Sequence, residues 1–212
     1  MSRPAERNLS RVATSLVTAV ALALCALTSD EALARKSHPE RLTDNGYARA
    51  PVENSFKVPG KGELEVAFSP KGGGTDLVIK VIQSARSSIR VLAYSFTSAP
   101  IAQTLVDAQR RGVDVEVVLD KSQKSERYSS ATFVANSGIP VRIDSKHSIA
   151  HNKVMIVDGH TVEQGSFNYT KAAEENNGEN VLVNWDNPAL AQVYLKDWKR
   201  HWDHSDPVAA RY

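Results

Sequence analysis

Hydrophobic and polar positions alternate at Leu64, Val66 and Phe68, the period of a β-strand. Three glycines, Gly72 to Gly74, interrupt the pattern; lacking the lysine and spacing of a phosphate-binding loop, they read as a strand-to-helix turn. Val78, Val81, Ile82 and Ala85 then recur at helical spacing, with Thr75 placed to cap that helix, and Ile89 to Phe96 is apolar enough for a central strand. The unit repeats. Ser98 and Pro100 open a helix with Ile101, Ala102, Leu105 and Val106 on one face; Gly112 closes it and Val113 to Leu119 follows as a strand. Phe133 and Val134 fit a short helix ended by Gly138, and Pro140 to Ile143 fits another strand. Val154-Met155-Ile156-Val157 is a buried strand, Asp158-Gly159 a tight turn, and Thr161 to Gln164 the returning strand. Thr170 caps a turn through Ala172 and Ala173, Glu179 to Val183 is a strand, and Asn187-Pro188 starts a last helix carrying Leu190, Val193, Tyr194, Trp198 and Trp202. This alternation predicts an α/β domain, a mixed, largely parallel β-sheet flanked by helices on both faces.

The amino-terminal part has a different pattern. Arg3, Arg7 and Arg11 precede an apolar run from about Val12 to Leu27, and Ala32-Leu33-Ala34 is a small-x-small cleavage site, so residues 1–34 read as a secretory signal peptide. A retained membrane anchor is the competing reading, disfavoured by Thr14, Ser15 and Thr18 within the run. Residues 35–62, polar and punctuated by Pro39, Pro51 and Pro59, are expected to form an extended arm before a catalytic domain over 63–212. The address expected is periplasmic or secreted, without stable membrane association after signal cleavage. Cys25 is the only cysteine, so the mature chain has no disulfide and rests on packing. Its charge of +2 is too mild to name a nucleic-acid partner, although it permits one.

Candidate chemistry concentrates between His151 and Asn168. His151 and Lys153, two apart at the head of an apolar strand, leave the same face of the sheet, and the hairpin return brings Ser166 and Asn168 near them. An imidazole, an ammonium, a hydroxyl and an amide then converge, a set suited to attack on a phosphodiester. The imidazole can be the nucleophile, giving a covalent phosphohistidine, while Lys153, Asn168 and Ser166 bind the non-bridging oxygens. Lys121, Lys124 and Arg127 follow the strand ending at Leu119, where α/β folds place ligands, and are candidates for contact with a substrate backbone. His201 and His204 have metal-compatible spacing, but no further Cys, His or acidic cluster accompanies them, so a packing or solvated role is expected. Lys146 and His147 read as a solvated loop. No metal or other cofactor is expected, and activity should survive chelators.

The full string His-x-Lys-x4-Asp-x6-Gly-Ser-x-Asn, from His151 through Lys153 and Asp158 to Gly165-Ser166-Phe167-Asn168, resembles the HKD motif of the phospholipase D superfamily. The wider chain, from Ala93-Tyr94-Ser95-Phe96-Thr97 through Asn136-Ser137-Gly138-Ile139-Pro140 to Trp185, is similar to small one-motif bacterial members that are secreted, non-specific endonucleases. The resemblance implies a phospholipase D-like fold with one HKD motif per chain. It also implies that Glu179 hydrogen-bonds the other nitrogen of His151, fixing its tautomer. Asp158, though part of the motif, is expected to shape the turn or make an internal ion pair rather than touch substrate.

In-line displacement needs a nucleophile on one side of phosphorus and a proton donor on the other, which one imidazole cannot supply. A chain with one motif therefore implies a homodimer, His151 of each copy facing the other across a two-fold axis. The substrate expected is DNA, possibly also RNA, cleaved with little sequence preference because phosphate contacts carry no base information. The alternatives are a phospholipid hydrolase working at a membrane surface and a catalytically silent nucleic-acid-binding dimer.

Overall fold

A single sheet organises the computed structural model, which describes residues 55–210. In chain order the elements are β1 (Glu63–Ser69), α1 (Gly74–Ser84), β2 (Ser88–Ala93), α2 (Ala99–Arg110), β3 (Asp114–Asp120), a 3-10 turn (Lys121–Lys124) and α3 (Ala131–Asn136). There follow β4 (Val141–Asp144), β5 (Lys153–Val157), β6 (Thr161–Gly165), α4 (Lys171–Glu175), β7 (Glu179–Trp185), α5 (Pro188–His204) and β8 (Asp206–Pro207). The strand order is β1-β7-β6-β5-β2-β3-β4-β8. The sheet is mixed, as expected, but its parallel part is confined to β2-β3-β4, where α2 and α3 supply the crossovers. The remaining pairings are antiparallel, because the motif segment returns as a hairpin and β7 pairs with β1 across the far edge.

Helices cover both faces. On one side α1, α2 and α3 bury Val78, Ile82, Ile101, Leu105 and Val134 against Ile89, Val91, Val117, Met155 and Val181. On the other, α5 packs Ala191 and Trp198 onto Leu92, Val118, Val154 and Ile156. The Trp198 indole also donates to Val91 O at 3.1 Å, satisfying the one polar atom that the ring carries into the core. Cover on the α5 face stops short of the β1 edge. Val66 pairs with Leu182, which pairs with Gln164 and thence Val154, so Leu64, Val66 and Phe68 point to the α5 side yet remain 66%, 52% and 63% exposed.

Thr75 does not cap α1. The helix begins at Gly74, and the carboxylate of Glu174, far along the chain, takes the free amides: Thr75 N donates to Oε2 at 2.7 Å and Gly73 N to Oε1 at 3.3 Å. A long-range cap of this kind has no local sequence signature. Thr170 and Asn187 do cap α4 and α5, accepting from Ala173 N and Leu190 N. The signal segment, its Ala-x-Ala site and Cys25 lie outside the described residues, as does the arm before residue 55. The remainder of the arm has no helix or strand, and its Pro59 and Lys61 carbonyls accept from Asn187 and Asn184.

Candidate active site

Lys153 opens β5 and pairs with Ala93, the last residue of β2, so it stands at the carboxyl edge of the parallel strands, where α/β folds bind ligands. His151 precedes the strand by two residues and is exposed, whereas Lys153 is buried. The ammonium lies against the imidazole, 3.0 Å from Nδ1 and 3.2 Å from Nε2, and donates to the His151 carbonyl at 3.0 Å. Tyr94 forms the floor of the pair: its ring is 4.5 Å from the imidazole and 5.1 Å from Lys153 Nζ. Burial lowers the Lys153 pKa, and the negative charge of Glu179 opposes that shift. The ammonium is thus partly stripped of water, which strengthens its pull on an anionic oxygen.

The Gly165–Tyr169 segment is fixed by alternation. Phe167 and Tyr169 are fully buried and anchor the chain from below. Tyr169 also holds the backbone of the neighbouring loop, its carbonyl accepting from Thr97 N and Ser98 N. Ser166 and Asn168, which alternate with the anchors, are left for the site. At Gly165 a Cβ would lie 2.2 Å from Asn180 O, so only glycine lets β6 end this close to β7. Ser166 Oγ consequently meets Asn180, accepting from its backbone N at 3.1 Å and its Nδ2 at 3.3 Å. Asn168 Oδ1 is buried without a hydrogen-bond partner among the described residues. A half-turn of the amide exchanges donor for acceptor, so Asn168 carries unspent hydrogen-bonding capacity beside the site.

Glu179 heads β7, beside the site. Its Oε1 accepts from Asn177 Nδ2 at 3.3 Å, and the imidazole nitrogens are met by Lys153 instead. Its carboxylate acts on Lys153 through charge. Asp158 sits at the far end of β5 in the left-handed region, φ 52°, and its carboxylate organises the entry to β2. It accepts from Arg86 N, Ser87 N, Ser87 Oγ and Ser88 N, at 2.7 to 2.9 Å. Burial pushes its pKa up, but these four donors outweigh burial and hold it below the ordinary value.

The basic loop is exposed, and two of its cations point to the segment that leads into the motif. Lys121 Nζ donates to His147 O at 3.1 Å; Lys124 Nζ reaches Ser145 Oγ at 3.4 Å and Asp206 Oδ2 at 3.8 Å. Arg127 lies over the Tyr128 ring at 5.5 Å. Two residues missed by sequence reasoning position the site. Tyr94 is one. Asp120 is the other: buried at the end of β3, it accepts from Ser122 N with Oδ1 and from Ala150 N with Oδ2 at 2.7 Å, tying down the residue before His151. An acidic residue directly after the apolar run Val117-Val118-Leu119 was the available signal.

The expectation that His201 and His204 lack ligand company is overturned. Asp144, at the end of β4 and fully buried, and His147, in the loop expected to be solvated, join them. Asp144 and His147 lie more than fifty residues before His201 and His204, so spacing along α5 alone could not reveal them. Burial pushes the Asp144 pKa up, yet the contacts from His201, His204 and His147 hold it far below the carboxylate range.

The family described as cardiolipin synthase, PLD-like domain, matches residues 78–202. A phospholipase D from Rickettsia bellii is 40% identical over 138 residues, 65% of this chain and 68% of that protein. The mouse mitochondrial cardiolipin hydrolase is 31% identical over 150 residues, 71% of this chain and 67% of that protein. Among solved structures, a phospholipase D family member, Nuc from Salmonella typhimurium, superposes with a TM-score of 0.69 at 46% identity, covering 70% of this chain and 99% of that one.

Proposed function

The chain belongs to the phospholipase D superfamily, and from that premise we propose that it is a non-specific endonuclease that cleaves DNA through a phosphohistidine at a site shared by two copies. The observation carrying this reading is the pairing of an exposed imidazole with a partly desolvated ammonium at 3.0 Å, beside an amide with unspent hydrogen-bonding capacity. His151 of one copy attacks phosphorus, forming the N–P bond as the bond to the leaving oxygen breaks. Lys153 and Asn168 hold the non-bridging oxygens, with Ser166 beside them. The protonated His151 of the partner gives its proton to the departing alkoxide. As a neutral base it then takes a proton from water, whose oxygen displaces the first histidine and releases the phosphate ester. Nucleophile, acid and counter-charge are all side chains, so the chemistry draws on no metal. Glu179, through its charge on Lys153 and its place at the head of β7, acts as a positioning residue.

Support for the second copy comes from the β1 edge. Leu64, Val66 and Phe68 form an exposed apolar row on a strand edge that α5 leaves open. Phe68 pairs with Asn180, which donates to Ser166, so the row runs up to the site. An isologous contact there covers the row in both copies and brings the two sites together.

Relatives named phospholipase D and cardiolipin hydrolase favour a second reading, a phospholipid hydrolase acting on the same phosphodiester linkage. One assay separates them. Purified chain is incubated with EDTA and either plasmid DNA or vesicles of phosphatidylcholine and cardiolipin, with His151→Ala as control. Nicking of DNA lost in the variant supports the endonuclease. Headgroup release without nicking overturns it in favour of the lipid substrate.

A further inference from the structure

Away from the motif, the carboxyl edge of the sheet carries a second cluster of reactive groups. Asp144 Oδ2 is approached by three imidazoles: His201 Nδ1 at 2.6 Å, His147 Nδ1 at 2.8 Å and His204 Nε2 at 3.1 Å. One carboxylate oxygen accepts along two lone pairs, so the third nitrogen is surplus. The surplus one is His204 Nε2. It lies close to the oxygen but outside hydrogen-bond geometry, and is buried with no hydrogen-bond partner among the described residues. Asp144 Oδ1 is already committed to Lys146 N at 2.9 Å, which orients Oδ2 into the three rings. Two buried or half-buried helix residues, a strand end and a loop residue thus present four ligand atoms within 4.8 Å of one another.

We propose that Asp144, His147, His201 and His204 form a structural site for one divalent transition-metal ion of the zinc type. Three imidazole nitrogens and one carboxylate oxygen are a tetrahedral donor set that zinc accepts, and bond lengths of about 2.0–2.1 Å place such ligands roughly 3.3 Å apart. The three oxygen–nitrogen separations lengthen by less than about one ångström to reach that spacing, and the nitrogens, all within 4.8 Å, close toward it by at most about 1.5 Å. An ion also removes the surplus: every one of the four atoms becomes a ligand. Asp197 Oδ2, 3.6 Å from the far nitrogen of His201, occupies the place of the outer carboxylate that orients a ligating imidazole. The Arg142 guanidinium sits nearby but is spent on the Trp202 and Ser205 carbonyls, closing the end of α5 around the cluster.

With four protein ligands the site has no open position, which makes it a clamp and not a second catalytic centre. It joins the end of α5 and the end of β4 to the loop of residues 145–150 that delivers His151. It stands three strand spacings along the sheet from Lys153, about 14 Å, too far to touch a phosphate held there.

The test uses the full chain without a histidine tag. Metal content by mass spectrometry should be about one zinc per chain. Stripping with dipicolinate should lower the melting temperature, and zinc added back should restore it. Cobalt replacement should give the intense visible bands of a tetrahedral ion. His147→Ala, a loop change that leaves the buried residues in place, and His204→Ala should each cut retained metal at least tenfold while circular dichroism stays that of the folded chain. Hydrolysis well below the melting temperature should continue in the stripped protein. The proposal fails if wild-type chain retains no ion and added zinc leaves its melting temperature unchanged, the cluster then being hydrogen-bonded only. It fails equally if metal is bound but both variants keep it.

Discussion

A single orphaned atom makes the sharpest claim at the scale of residues. Asn168 lies in sequence between the buried Phe167 and Tyr169, and its buried Oδ1 has no hydrogen-bond partner among the described residues. A buried polar group without a partner costs about 1–3 kcal/mol, a cost that truncation of Asn168 removes. Asn168→Ala is therefore expected to lower kcat roughly 10²–10³-fold, the scale of losing one preorganised donor, with the melting temperature unchanged or raised. Steady-state kinetics beside a thermal melt check both halves. Asp158 makes the opposite case, since its four hydrogen bonds lie at the turn away from His151. Asp158→Ala should destabilise the fold by about 1–2 kcal/mol, by removing four hydrogen bonds to a charged acceptor at an exposed to half-buried turn, while the folded fraction keeps its kcat. The folded pKa of Asp158 is depressed, so its stabilisation is present above the ordinary carboxylate pKa and is lost as pH falls through the folded value. The gap between wild type and variant in urea should accordingly be wide at pH 7 and narrow in acid.

Elements bring groups together that neither strand nor helix would hold alone. The β5–β6 hairpin buries Glu163 completely, with the Tyr169 hydroxyl donating to it at 2.6 Å. Burial pushes this carboxyl from its ordinary 4.5 up to about 8, against the Tyr169 hydrogen bond. The native chain thus keeps a proton there at neutral pH that the unfolded chain releases. Stability should fall as pH rises from about 4.5 to about 8. Glu163→Gln, which keeps the shape and the acceptor for Tyr169, should flatten that slope. Melts of both proteins from pH 5 to pH 8 decide it, and parallel slopes would place the titration elsewhere.

For the whole molecule the question is how many chains make one active site. If both histidines of a pair are required, wild-type chain refolded with excess His151→Ala chain should lose activity as the square of the wild-type fraction. Independent sites give a linear loss. The same two-histidine chemistry predicts a bell-shaped dependence of kcat/KM on pH, because one ring must begin neutral and the other charged. Breaking the apolar row with Val66→Lys should separate the copies, seen as a halved mass in light scattering, and silence the enzyme while the sheet stays intact.

Local chemistry made much of this protein legible in its sequence. The apolar run Val154 to Val157, the Asp158-Gly159 turn and the Ser98 and Asn187 helix starts depend on neighbours a few residues away, and the motif positions His151, Lys153, Ser166 and Asn168 all lie on one hairpin and its exit. What the sequence left open has a common cause: it depends on residues that meet only when the sheet closes. The antiparallel pairing of β7 with β1, the Glu174 carboxylate capping α1, the Tyr94 floor beneath His151 and the gathering of Asp144 and His147 around His201 and His204 join segments tens of residues apart. Periodicity reports which face of an element is buried, and it carries no information on which distant side chain shares that face; the fold alone decided those meetings.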